Sequence, residues 1–134
     1  MKTWMITLKE KYVHLFLTGK KCIELRTRVP KALQQGDEII VAQSGSHNKI
    51  VMKMTVSFVY KFSPTTMFHY FGEDIQVDYN AYKEYTKGRE YVYGIGVYNI
   101  LKLNGEFHTS DFGINKAPQW FREVKEKYIF WLYV

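Results

Sequence analysis

Gly19-Lys20-Lys21-Cys22-Ile23-Glu24-Leu25-Arg26-Thr27-Arg28 marks the point where the chain changes its period. Upstream, Tyr12, Val13, Leu15 and Phe16 lie at spacings that suit one face of a short helix over Lys11 to Leu17. Gly19 is suited to end such a helix, because glycine enters the left-handed region without a Cβ penalty. From Lys21 the period is two: Ile23, Leu25 and Thr27 fall on one side, and Cys22, Glu24, Arg26 and Arg28 on the other. The expectation is a half-buried strand with a charged outer face, entered from a helix through a pair of lysines.

Outward from this junction, Thr3 to Leu8 is β-prone, and Gly36-Asp37 makes a tight turn into a short apolar strand over Glu38 to Ala42. A polar loop over Gln43 to Asn48 follows. Ile50 to Phe62 then alternates as a long strand, expected to pair with the strand before it. Ser63-Pro64 reads as a helix start, an N-cap followed by proline at the first helical position, and Gly72 is expected to stop that helix after about two turns. Asp78 caps a second helix running to Lys87 with Gly88 beyond it, and Tyr79, Tyr82 and Tyr85 recur along it every three residues.

Tyr91 to Leu103 reads as another long strand, with Gly94 and Gly96 where a barrel wall can bend, and Asn104-Gly105 is the strongest hairpin signal in the chain. A short helix over Ala117 to Phe121 and a closing strand over Tyr128 to Val134 complete the expected order. Strands interspersed with short helices, without regular βαβ alternation, favour a mixed α+β barrel over a doubly wound sheet.

The 134 residues suit one domain over 1–134, and 46% apolar with 17% aromatic residues rules out long disorder. Nineteen Lys and Arg against thirteen Asp and Glu leave a formal charge of +6. All of that excess falls within residues 1–31, where eight basic residues face only Glu10 and Glu24. Charge concentrated in this way suggests a patch for an anion, phosphate being the commonest, with a solubilising face as the plain alternative. Cys22 is the only cysteine, so an internal disulfide is excluded and a reducing compartment fits. No leader and no membrane-length apolar run is evident, and a cytoplasmic location is expected.

Chemistry is densest at the quoted junction. Arg26 and Arg28 offer planar forks of donors for phosphate or a base edge, Lys20 and Lys21 mobile point charges, and Glu24 an acceptor for an amino group. The competing explanation is a surface row of charges in which Glu24 pairs with its neighbours. Gly19, Lys21, Glu24 and Arg26 match the G-x-K-x-x-E-x-R signature of the ASCH family, and Gly36-Asp37 falls where that family has its Gly-Asp turn. With the order of elements, the chain resembles that family over residues 1 to about 103. The resemblance implies a PUA-like β-barrel of about six strands with two to four short helices. It also implies RNA recognition or RNA-associated regulation, with the signature lining a cleft between barrel and helices.

One small bacterial branch of the family resembles amidohydrolases that deacetylate N-acetylated cytidine with a Lys, a Thr three residues later and a more distant Glu. Lys21 fills the first position, but Glu24 stands where the Thr is needed. Lys21 and Glu24 are thus the catalytic pair only if the chain is an enzyme. A catalytic Lys must shed its proton, and a neighbouring carboxylate opposes that.

The leading expectation is a noncatalytic module holding single-stranded RNA or a nucleotide. Lys21, Arg26 and Arg28 would meet phosphate with help from Lys20, and Glu24 would meet a base edge. A small amidohydrolase acting on an acetylated nucleoside and a protein-interaction domain with an aromatic tail are the alternatives, and no protein partner is identified.

Other residues are less specific. Tyr82, with Tyr79 and Tyr85, can stack an unpaired base or simply pack a core. Ser44, with Gly45 and Ser46, can meet a phosphate at a cleft mouth or form a plain solvated loop. Gln119 and Trp120 make a polar-plus-aromatic pair able to read a base. Cys22 reads as a small strand residue, and His14, His47, His69 and His108 lack metal-ligand spacing. No metal and no cofactor is expected. The chain has no G-x-x-x-x-G-K-[ST] phosphate loop, no G-x-G-x-x-G fingerprint and no G-x-S-x-G elbow.

Overall fold

The computed structural model of the chain describes residues 1–129. Six strands and three α-helices occur there in the order β1 (Thr3–Leu8), α1 (Glu10–Leu17), β2 (Ile23–Arg26), β3 (Glu38–Gln43), β4 (Lys49–Phe62), α2 (Pro64–Ile75), α3 (Tyr79–Thr86), β5 (Val92–His108) and β6 (Arg122–Val124). Single 3-10 turns lie at Thr109–Phe112 and Glu126–Tyr128. The strands form one curled mixed sheet, a half-barrel, in the order β2-β5-β4-β3-β1-β6. β1 and β3 run parallel, and every other neighbouring pair is antiparallel.

β1 and β3 are apolar at nearly every position because both of their faces are covered. Trp4, Ile6, Ile39 and Val41 enter a core with Val13 and Phe16 of α1, whereas Met5, Ile40 and Ala42 enter a second core closed by Phe112, Ile114 and Val124. A third cluster joins Ile23 and Leu25 of β2 to Met67 and Ile75 of α2 and Tyr82 of α3. The helices thereby cover the end of the sheet where β2 pairs with β5.

The Gly36-Asp37 turn ties β1, β3 and β4 together. Gly36 has a φ of 91°, which a side chain resists, and its N–H donates to the Val56 carbonyl at 2.8 Å. Asp37 is fully buried. Its carboxylate accepts from the Lys2 N–H at 2.9 Å, the Trp4 indole N–H at 3.0 Å and the Gln34 N–H at 3.1 Å. A buried carboxylate is tolerable only when donors replace its water, and here three do.

The helix starts follow the capping residues. Ser63 accepts from the Thr66 N–H with Pro64 in the first turn, and Asp78 accepts from the N–H groups of Asn80 and Ala81. Several expectations need correction. Gly72 does not end its helix; it is a helical residue beside the Phe68 ring, and the stop comes at Gln76, in the left-handed conformation at φ 54°. Asn104-Gly105 makes no hairpin, because β5 continues to His108 alongside the start of β4, and a register shift between Ile50 and Met52 absorbs the surplus residues.

Gly94 and Gly96 serve close approach, since a Cβ on Gly96 would run into the Phe58 ring and one on Gly94 would sit 2.9 Å from Met67 Sδ. Ala117 to Phe121 is irregular rather than helical, and Arg122–Val124 follows it as a three-residue edge strand. The closing strand expected over Tyr128 to Val134 falls largely outside the described residues, and Tyr128 itself belongs to a 3-10 turn.

Asp37→Ala orphans three donors at once, one on β1 and one on the residue that precedes it. The expected cost is about 3 kcal/mol. It should read out as a lower urea midpoint at unchanged slope, and an unchanged midpoint would remove Asp37 as the anchor of the turn.

Candidate functional site

The junction over residues 19–28 is built from the end of α1, the start of β2 and the C-terminal end of α2. Thr18 caps α1, Gly19 follows at a φ of 79°, and the chain turns back so that the Lys21 N–H donates to the Leu15 carbonyl at 3.0 Å. This aims the Lys21 side chain inward. Only 2% of Lys21 is exposed. Its ammonium donates to the carbonyl of Ile75, the last residue of α2, at 2.5 Å. It also lies 5.4 Å from the Tyr12 ring centre and 5.3 Å from that of Phe16.

The C-terminal end of a helix carries unpaired carbonyls and partial negative charge, so a buried cation there has both a hydrogen bond and a favourable field. Cys22 extends the docking, its N–H donating to the Asp74 carbonyl at 3.0 Å and its Sγ lying 3.5 Å from Asp74 Oδ1.

β2 does not present a solvated charged face, and this corrects the expectation from its period. Glu24 is buried, and its Oε2 accepts from Arg26 Nε at 2.7 Å, the two side chains being only 8% and 15% exposed. The Arg26 guanidinium lies 5.3 Å from the Phe121 ring centre. Period two places Glu24 and Arg26 on the same side, as expected, but helices and the segment before β6 cover that side.

These groups line a cleft of about 390 Å³. Lys21, Glu24 and Arg26 meet there with Thr7, Leu8 and Lys9 at the end of β1, Tyr12 of α1, Ser44 of the loop after β3, and Val77, Ala81 and Tyr85 around α3. Of the residues singled out from sequence, Lys21, Glu24, Arg26 and Ser44 thus come together. Lys20 and Arg28 are exposed outside the lining, and Tyr82 is 2% exposed within the third core, its hydroxyl donating to the Pro64 carbonyl at 2.6 Å. Burial pushes the Tyr82 phenol up to about 12. Along α3, Tyr82 and Thr86 share the core face, while Ala81 and Tyr85, also four residues apart, share the cleft face.

The basic residues of the first 31 positions are not one patch. Lys21 is buried, Arg26 is paired, and Lys2 lies 3.2 Å from Glu123.

Burial lowers the Lys21 pKa below the ordinary 10.5; Glu24 and Cys22 counteract this, and Arg26 adds a smaller push downward. Burial and the Asp74 carboxylate raise the Cys22 thiol, which keeps it protonated and unreactive.

The Lys21 shift has a consequence for stability. Between the lowered folded value and the unfolded value near 10.5, the unfolded chain binds the extra proton. Stability therefore rises with pH across that window, and below it the cost of the buried charge is present in full. Wild type should gain stability relative to Lys21→Met as pH climbs from neutrality toward 10.5, measured by urea unfolding. Parallel pH curves for the two proteins would contradict the burial argument.

The family model described as the ASCH domain matches residues 6–101. No curated protein matches the chain in sequence. Among solved structures, the ASCH protein of Zymomonas mobilis is 15% identical, with 98% of this chain and 94% of that chain covered at a TM-score of 0.88. The hypothetical protein PH0355 is 25% identical over 77% of this chain and 100% of its own, at a TM-score of 0.55. Protein PF0455 of Pyrococcus furiosus is 20% identical over 76% and 98%, at 0.50. At 15% and 20% identity these likenesses speak for the fold, and they agree with the curled α+β sheet described above. The matched region spans the Lys21 junction, the Gly36-Asp37 turn and all three helices, and the chain belongs to the ASCH domain family.

Proposed function

We propose that this ASCH domain binds RNA by taking one nucleotide unit, or a free nucleotide, into the cleft at Lys21, Glu24 and Arg26. The observation that carries the reading is the convergence of an ammonium, a carboxylate and a guanidinium in one cleft whose remaining wall is largely apolar and aromatic. Its volume of about 390 Å³ falls at the lower end of ordinary small-molecule sites, which suits a single base and sugar and not a stretch of strand.

Unpaired RNA bases are commonly recognised by being splayed into such a site, stacked on aromatic rings and hydrogen-bonded along their edges. Glu24 can accept from an exocyclic amino group while Arg26 holds its other face, and Lys21 donates from the cleft floor. Tyr12 and Tyr85 offer ring surface, and Lys9 and Ser44 stand at the rim to meet phosphate.

Titration calorimetry with the four ribonucleoside 5′-monophosphates and short single-stranded RNA tests this directly. Arg26→Ala and Lys21→Met should each weaken binding at least about tenfold, near 1.4 kcal/mol, with circular dichroism confirming that both variants fold. Because few cations line the cleft, binding of single-stranded RNA should show a shallow salt dependence, a slope of about −1.4 for two phosphate contacts. Absence of nucleotide and RNA binding by folded wild type defeats the reading.

One observation favours a second reading, an amidohydrolase acting on an acetylated nucleoside: the nitrogen at the cleft floor belongs to a buried lysine whose pKa is depressed. Glu24 opposes that depression and stands where the deacetylating branch would need a hydroxyl, so binding remains the preferred function. Release of acetate from acetylated nucleosides by wild type and its loss in Lys21→Met would overturn that preference; no turnover removes the alternative.

A further inference from the structure

The segment before β6 carries a feature that the cleft itself does not use. Thr7 Oγ1 donates to the Pro118 carbonyl at 2.7 Å and fixes this segment to the end of β1. Two residues on, the Trp120 indole N–H donates to the Arg28 carbonyl at 3.2 Å, while the Arg28 guanidinium lies 4.7 Å from the centre of the same indole. The ring is thus held by its nitrogen and covered by a flat cation, yet Trp120 remains 37% exposed. It also meets Phe121 edge-on at 5.9 Å, and Phe121 lies beneath Arg26 of the cleft.

The two arginines differ in what they have left to offer. Arg26 shares its donors with Glu24, whereas the Arg28 guanidinium has no carboxylate partner among the described residues. An unpaired guanidinium stacked on a half-exposed indole, joined through Phe121 to a nucleotide-sized cleft, combines donors for phosphate with a surface for a base.

We propose that the Arg28–Trp120 pair is the subsite for the nucleotide adjoining the one in the cleft, Arg28 taking its phosphate and the exposed indole its base. The inference rests on the nucleotide reading above and extends it from one unit to two. It makes the protein a reader of strands rather than of free nucleotides. Stacking on an aromatic platform is sequence-tolerant, so selectivity resides in the cleft, and the second unit adds affinity without adding strict choice of base.

The test compares ribonucleoside 5′-monophosphates with 5′-phosphorylated dinucleotides of all base combinations on wild type, Trp120→Ala, Trp120→Phe and Arg28→Ala. Wild type should bind dinucleotides at least about fivefold more tightly than monophosphates, the lower end for one stacked base. Trp120→Ala should lose that gain while keeping monophosphate affinity, and Trp120→Phe should restore most of it. Arg28→Ala should make the salt dependence of dinucleotide binding shallower by about 0.7, one phosphate contact on a single strand.

Equal affinity for mono- and dinucleotides in wild type, or a gain that survives Trp120→Ala, overturns the second subsite and leaves the cleft reading intact. Failure of every nucleotide to bind wild type overturns both.

Discussion

The hydrogen bond from the Lys21 ammonium to the Ile75 carbonyl fixes the relation between the sheet and the helices. It joins the residue entering β2 to the last residue of α2, and its aromatic neighbours Tyr12 and Phe16 draw in α1 as well. Without a donor there, the end of α2 would face an apolar core cluster with an unpaired carbonyl, which costs more than the bond itself contributes. An apolar side chain of similar length would avoid the desolvation of the ammonium but could not answer the carbonyl. The lysine is therefore a helix cap and a cleft-floor residue at once, and the position of the cleft follows from the position of the cap.

The spacing of Gly19, Lys21, Glu24 and Arg26 has a physical account on these terms. Gly19 allows the left-handed exit from α1 that turns Lys21 inward, and Lys21 reaches α2 before β2 begins. Glu24 and Arg26, two residues apart in extended backbone, then share one face and neutralise each other at 2.7 Å. Burying either alone would leave an uncompensated charge, so the acid and the guanidinium are needed as a pair. The Gly36-Asp37 turn plays a different part: its carboxylate gathers donors from Lys2, from Trp4 of β1 and from the turn itself, and so fixes the ends of β1 and β3 opposite those that reach the cleft at Leu8 and Ser44.

What could be read from sequence was whatever local chemistry determines. The α1 face, the Ser63 and Asp78 caps and the pairing of β3 with β4 followed from spacing and side-chain type, and the structure has them. Gly72 and Asn104-Gly105 misled because both are strong stop signals in isolation. In the fold, Gly72 rests on Phe68 while the helix gains from packing on β2, and β5 finds a partner in the start of β4. Tertiary pairing outweighed the local preference in each case.

Parallel pairing of β1 with β3 and the three-residue β6 carry no periodic signal and were not legible. At the site, Lys21, Glu24 and Arg26 were found through their spacing, but their burial was not, because a charged strand face reads as solvated until something is known to cover it. Tyr82 and Tyr85 are equivalent in a row of tyrosines, and only the docking of α3 decides that the first enters the core and the second the cleft.

The distribution of charge follows from the same packing. A surplus of +6 placed entirely in residues 1–31 suggests a patch for an anion, yet the fold buries Lys21, pairs Lys2 and Arg26 with acids, leaves Lys9 at the cleft rim and exposes Lys11, Lys20, Arg28 and Lys31. The net charge is unchanged by this packing, while the groups inside the cleft gain strength from exclusion of water. On the proposed reading, a site built in this way would discriminate through hydrogen bonds to one small polar ligand rather than through the number of phosphates it touches. The stacked Arg28 lies outside the cleft, an exposed cation whose position is held by an aromatic ring. On the proposed nucleotide reading the labour divides: burial at Lys21, Glu24 and Arg26 would supply selectivity, and exposure at Arg28 would supply contact with the rest of a strand.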